Sequence, residues 1–345
     1  MTDNPYTLLF GQEPNQMISR TAELEKVTKD FESSTPSQMI YMITGLRGSG
    51  KTVFMTKVED YFTNKKDWIT VELSSESDLL TSLVSKLSSE NTLANLFKKA
   101  KINLSFFGFG LEVSDVAPIT NIEMALTKMM ESIKKSNKKL LVTIDEVVNT
   151  KSMREFASVY QILIRHKLPI FLLMTGLYEN INGLQNEKNL TFLYRAPRID
   201  MKGLSIRDVS SNYSKVLKLS TSESIRMAGF TNGYPFAFQV LGHFTWEHNG
   251  DYMNSMTDYK NYLYDYVYDK IWSEASEKDK LILYAIAKSN SDKIVDIRRV
   301  IDIDTNSFNP YKKRLKNKGL IDGDTYGRIT FILPLFKEYV LENYE

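Results

Sequence analysis

Gly45-Leu46-Arg47-Gly48-Ser49-Gly50-Lys51-Thr52 brings glycines, a lysine and two hydroxyls into one short stretch. Its spacing is G-x-x-x-x-G-K-[ST], a loop pattern that cradles phosphates. The glycines let the backbone turn tightly and aim successive N–H groups at phosphate oxygens. Lys51 would reach the outer phosphates, and the Thr52 hydroxyl would hold Mg²⁺. The ligand expected here is ATP with Mg²⁺, and its contacts are Gly45, Arg47, Gly48, Ser49, Gly50, Lys51, Thr52 and Val53. A second stretch, Lys138-Lys139-Leu140-Leu141-Val142-Thr143-Ile144-Asp145-Glu146, is an apolar run that ends in two carboxylates. Burying such a pair without partners is costly. At the end of a parallel strand the two carboxylates would face a ligand crevice instead. Asp145 would then orient the metal, and Glu146 would polarise an attacking water as general base.

Both stretches need strands and helices to hold them. Gln38 to Thr44 reads as a buried strand, and Val53 to Phe62 has apolar residues at helical spacing. The positive end of that helix dipole would face the phosphates. Trp68 to Leu73, the run into Asp145, Leu168 to Gly176, and the segment after Tyr194 supply further strands, with helical patterns between them. The expected fold is therefore α/β, a P-loop NTPase parallel sheet with helices on both faces, followed by a helical lid and a winged helix-turn-helix. Thr175 ends one strand, where it would sense the γ-phosphate or make an ordinary strand exit. Arg195 is placed to stabilise the transferring phosphoryl group or to make a local salt bridge. Residues 102–114 alternate around Gly108 and Gly110, which predicts a β-hairpin inserted in the core.

Residues 1–205 thus read as the ATPase core and 206–270 as a helical region. Residues 271–345 read as three helices and a hairpin, which describes a winged helix-turn-helix. Its third helix carries Lys312, Lys313, Arg314 and Lys316 with no acid among them. Those residues predict contact with duplex DNA phosphates; the alternative is a winged helix that contacts protein.

The composition narrows the chemistry. Among 345 residues there is no cysteine, which excludes disulfides, thiolate metal sites and cysteine nucleophiles. Three histidines leave little for a histidine-rich metal site. A net charge of +2 implies no nucleic-acid partner by itself. No apolar run is long enough to span a membrane, and the first residues lack a signal-peptide pattern, so a cytoplasmic protein is expected. A small-molecule kinase would use the same phosphate loop, but its chain would more often end near the core.

Taken together, the chain resembles the AAA+ ATPases, in the prokaryotic branch near the origin-recognition ATPases and the signal-transduction ATPases called STAND. Gly45 to Thr52 matches their Walker A motif and Leu140 to Glu146 their Walker B. The resemblance implies that Ile18, within Met17 to Arg20, lies beside the adenine, although Ser19 stands where that branch has glycine. It puts Thr175 at the sensor-one place and Arg195 near the arginine finger, acting in cis or in trans. Gly233-Tyr234-Pro235 resembles the Gly-x-Pro turn, which puts Tyr234 and Pro235 near the adenine. No arginine matches sensor two. That departure implies a nucleotide switch with slow turnover, self-associating or working with a protein partner.

Overall fold

Five strands form one parallel sheet: β1 Ile40–Thr44, β2 Trp68–Ser74, β3 Lys139–Asp145, β4 Ile170–Gly176 and β5 Arg198–Asp200. Their order is β2-β3-β4-β1-β5. The computed structural model describes residues 3–9 and 13–344. β1 and β4 are buried at every position, as strands covered on both faces must be. Because all five run the same way, their carboxyl ends share one edge. Thr44 pairs with Gly176 and Ile144 with Met174, so the ends of β1 and β3 flank the end of β4. Helix Lys51–Thr63 follows β1, and helix Lys151–Arg165 lies between β3 and β4. The Thr150 side chain caps the latter by accepting from the Met153 N–H at 3.1 Å.

The expected β-hairpin at 102–114 is not formed. The segment folds as a short 3₁₀ turn, Ser105–Phe107, inside an irregular loop. Gly108 and Gly110 both take left-handed backbone angles, with φ of +73° and +70°. Two such turns one residue apart break the register a ladder needs. A single backbone bond, Leu104 N–H to the Leu111 carbonyl at 2.7 Å, crosses the loop. The Asn103 amide donates to the carbonyls of Val113 (3.2 Å) and Val116 (2.7 Å) and holds the loop shut. The rings of Phe107 and Phe109 stack on each other at 5.8 Å.

The chain divides into two units. One comprises 20–44 and 51–200; the other comprises 45–50, 201–345 and the described part of 1–19. The first holds the sheet and its own apolar core. The second holds helices Ile206–Leu217, Thr221–Gly229 and Pro235–Glu247, then Glu277–Lys288, Ile294–Val300 and Thr305–Asn317. A two-stranded antiparallel pair, β6 Ile321–Asp322 and β7 Thr330–Phe331, comes after them. One continuous apolar core runs through 206–340. Among the described residues no helix is long and apolar enough to cross a membrane.

Within the second unit, the Asp279 side chain is almost fully buried. It accepts from Arg314 Nε at 2.9 Å, and Lys318 Nζ lies 3.7 Å from its other oxygen. A buried carboxylate left alone is strongly destabilising. The Arg314 side chain is itself 40% exposed, which lowers what the pair is worth. Arg314→Ala should therefore lower stability by about 2 kcal/mol, while Lys313→Ala on the exposed face stays within about 0.5 kcal/mol. Urea unfolding of the two variants measures the difference.

Candidate nucleotide site

β1 ends at Thr44, and its hydroxyl hydrogen-bonds the Asp200 carboxylate at the end of β5. The chain then turns through Gly45–Gly50 and enters the helix at Lys51. Gly48 and Gly50 have φ of +69° and +86°, conformations that an L side chain resists. The loop is closed by a Ser49 N–H bond to the Leu46 carbonyl at 3.2 Å. Ser49 Oγ is buried and has no hydrogen-bond partner. A buried hydroxyl without a partner costs stability, and a phosphate oxygen is the kind of group that would satisfy it.

Thr52 and Asp145 meet within the sheet unit. Thr52 Oγ1 donates to Asp145 Oδ2 at 2.7 Å, across 93 residues of chain. A hydroxyl and a carboxylate side by side form the hard-oxygen donor set that suits Mg²⁺. Parallel strands fix this meeting, since Asp145 closes β3 and Thr52 lies in the first turn of the helix after β1. Lys51 is buried at the first position of the same helix.

Thr175, at the end of β4, is fully buried, and its hydroxyl hydrogen-bonds Asp145 Oδ1. That bond orients the Asp145 carboxylate. The same Thr175 oxygen accepts from the Glu146 N–H at 3.2 Å, and Asp145 Oδ1 accepts from that N–H at 3.0 Å. Those two bonds hold Glu146 in a left-handed conformation, φ +50°, which is uncommon for a non-glycine residue. Strain of this kind concentrates where a side chain must be aimed. The Glu146 side chain is exposed.

Arg195 lies just past helix Thr191–Tyr194, exposed, and its side chain makes no hydrogen bond or ion pair among the described residues. The local salt bridge expected as its alternative role is therefore not formed. Arg198, three residues on, is the arginine bound inward, donating to Gln185 Oε1 at 2.5 Å.

In the second unit, Ile18 packs half-buried against the apolar core. Pro235 opens helix Pro235–Glu247, a position that suits a residue with no N–H. Tyr234 Oη donates to the Arg47 carbonyl at 2.6 Å, a contact the sequence did not announce. Arg47 also forms an ion pair with Glu274 at 3.3 Å. Of the basic residues on Thr305–Asn317, Arg314 binds Asp279 and Lys316 pairs with Asp324. Lys313 is exposed, and the Lys312 stem crosses Gly323.

Residues 17–168 match the family described as an ATPase domain predominantly from Archaea. Residues 265–340 match a domain of unknown function. A search of curated proteins finds no match. Among solved structures, the Walker-type ATPase PABY2304 of Pyrococcus abyssi superposes with a TM-score of 0.66 at 16% identity, covering 94% of this chain and 96% of that one. The ORC2 protein of Aeropyrum pernix, solved as ADPNP–ADP complexes, gives 0.61 at 14% identity, covering 95% and 93%. Residues 17–168 thus carry a domain of the archaeal ATPase family, and the parallel sheet with its order β2-β3-β4-β1-β5 has the fold of the P-loop ATPases it superposes on.

Proposed function

We propose that the protein binds ATP with Mg²⁺ and hydrolyses it to ADP and phosphate. The observation that carries this is the 2.7 Å bond between Thr52 and Asp145, which joins the helix after the loop to the acidic strand end. Thr52 and Asp145 would hold Mg²⁺, which when bound neutralises charge on the phosphates. The loop N–H groups and Lys51 bind and orient the polyphosphate. Glu146 takes the proton of the attacking water, and the bonds of its N–H to Asp145 and Thr175 fix its backbone. Arg195 offsets the charge that grows on the transferring group. With its guanidinium exposed, it is suited to act on a neighbouring copy of the chain.

We assign 206–270 as a lid and 271–345 as a winged helix coupled to nucleotide state. Its partner on this reading is duplex DNA, met through Lys312, Lys313, Arg314 and Lys316. A second reading has the same domain contacting protein in a slow regulatory switch. The pairing of Arg314 with Asp279 and of Lys316 with Asp324 favours it, because each pair cancels a charge that phosphates would need.

ATP turnover measured with and without duplex DNA tests the whole assignment. Turnover that requires Mg²⁺ supports the enzyme, and none under any condition overturns it. For the partner, Lys312→Ala with Lys313→Ala should reduce the salt slope of duplex binding by about 2 if both lysines meet phosphates. An unchanged slope, or no duplex binding by the parent chain, turns the reading to protein contact.

A further inference from the structure

Tyr234 is expected beside the adenine, yet its hydroxyl is spent elsewhere. The residue closes the turn Thr231 to Tyr234, where its own N–H donates to the Thr231 carbonyl at 2.8 Å. Gly233 has φ +73°, and a Cβ there would fall 2.4 Å from the Leu204 carbonyl oxygen, so the turn fits only glycine. From this turn the Tyr234 side chain, 3% exposed, reaches the phosphate loop and donates to the Arg47 carbonyl at 2.6 Å. Burial pushes the Tyr234 hydroxyl far above the ordinary tyrosine range, so it remains a donor throughout the physiological range. The ring also occupies the space against Gly48. A Cβ on Gly48 would lie 2.5 Å from Tyr234 Oη and 2.8 Å from Phe236 Cβ.

A trans peptide is planar, and its C=O and N–H point opposite ways. The Arg47 carbonyl and the Gly48 N–H belong to one peptide unit. Fixing the carbonyl on Tyr234 therefore directs the Gly48 N–H away from Tyr234. That N–H makes no hydrogen bond among the described residues, and Gly48 is exposed. The neighbouring Ser49 Oγ has no partner either. An oriented free N–H beside an orphan hydroxyl is the arrangement that receives an anion.

We propose that Tyr234 is a positioning residue of the phosphate loop: by holding the Arg47 carbonyl it presents the Gly48 N–H to the polyphosphate of the nucleotide, and it does not wall the base. This rests on the ATP-binding reading above. Tyr234→Phe keeps the ring and removes the hydroxyl. In the full-length chain with Mg²⁺, dissociation constants for ATP and for inorganic tripolyphosphate, which has no base, are measured by calorimetry. Both should weaken by the same factor, about 5- to 10-fold, the worth of one hydrogen bond. Weakening of ATP alone would make Tyr234 a base contact and overturn the proposal, as would no change in either ligand. A measurement on the unaltered chain needs no variant. With ¹⁵N-glycine labelling, the Gly48 amide resonance should shift on addition of tripolyphosphate, and a resonance that stays in place overturns the proposal. If the unaltered chain binds neither ligand, it is the ATP-binding reading that fails.

Discussion

Glu146→Gln should leave ATP affinity within about 2-fold of the unaltered chain and lower turnover by about 10²- to 10⁴-fold, the usual contribution of a general base. The reason is geometric. Among the described residues the Glu146 side chain makes no hydrogen bond to Thr52, and the Thr52–Asp145 bond does not involve it. The amide is close in size to the carboxylate, and the left-handed backbone of Glu146 is held by its N–H, which the substitution keeps. The variant should therefore fold and bind while lacking a proton acceptor for water. Phosphate release in single-turnover mixing, beside equilibrium binding of a fluorescent ATP analogue, separates the two quantities. Equal turnover in both proteins would remove Glu146 from the chemistry.

Arg195→Ala should cost about 10³- to 10⁵-fold in turnover if the guanidinium meets the transferring phosphoryl group. Stability should hardly change, since the side chain is exposed and unpaired among the described residues. A mixing experiment decides between action in cis and in trans. Arg195→Ala retains a working Glu146, and Glu146→Gln retains a working Arg195. If each finger serves its neighbour's site, the mixture recovers part of the activity that neither variant shows alone. With no recovery at any concentration, the arginine acts within its own chain. If Arg195→Ala hydrolyses ATP as fast as the unaltered chain, it is a surface residue.

The nucleotide chemistry was legible because phosphate binding asks for residues close together in sequence. A tight loop must supply its glycines, its lysine and its hydroxyl within one turn and the start of one helix. The strand ending in Asp145 was legible for a related reason, since apolar runs covered on both faces need no distant information to be recognised. The parallel α/β order came from the alternation of such runs with helical patterns.

What escaped the sequence reading depends on pairs far apart in the chain. Thr175 stands 30 residues from Asp145, and the hydrogen bond between them exists because β3 and β4 lie side by side in register. The basic run at 312–316 reads as free charge until the fold brings Asp279 and Asp324 against Arg314 and Lys316. At 102–114, alternating residue types suggested a ladder, but two glycines in left-handed conformation turn the chain out of it. Tyr234 meets Arg47 across 187 residues, a contact that no local pattern encodes. The sequence by itself determined the loop that would grip phosphate, the acids that would attend a metal and the class of sheet that carries them. Only tertiary structure decided which polar groups are spent on one another, because a hydrogen bond forms between neighbours in space and the sequence records neighbours along the chain.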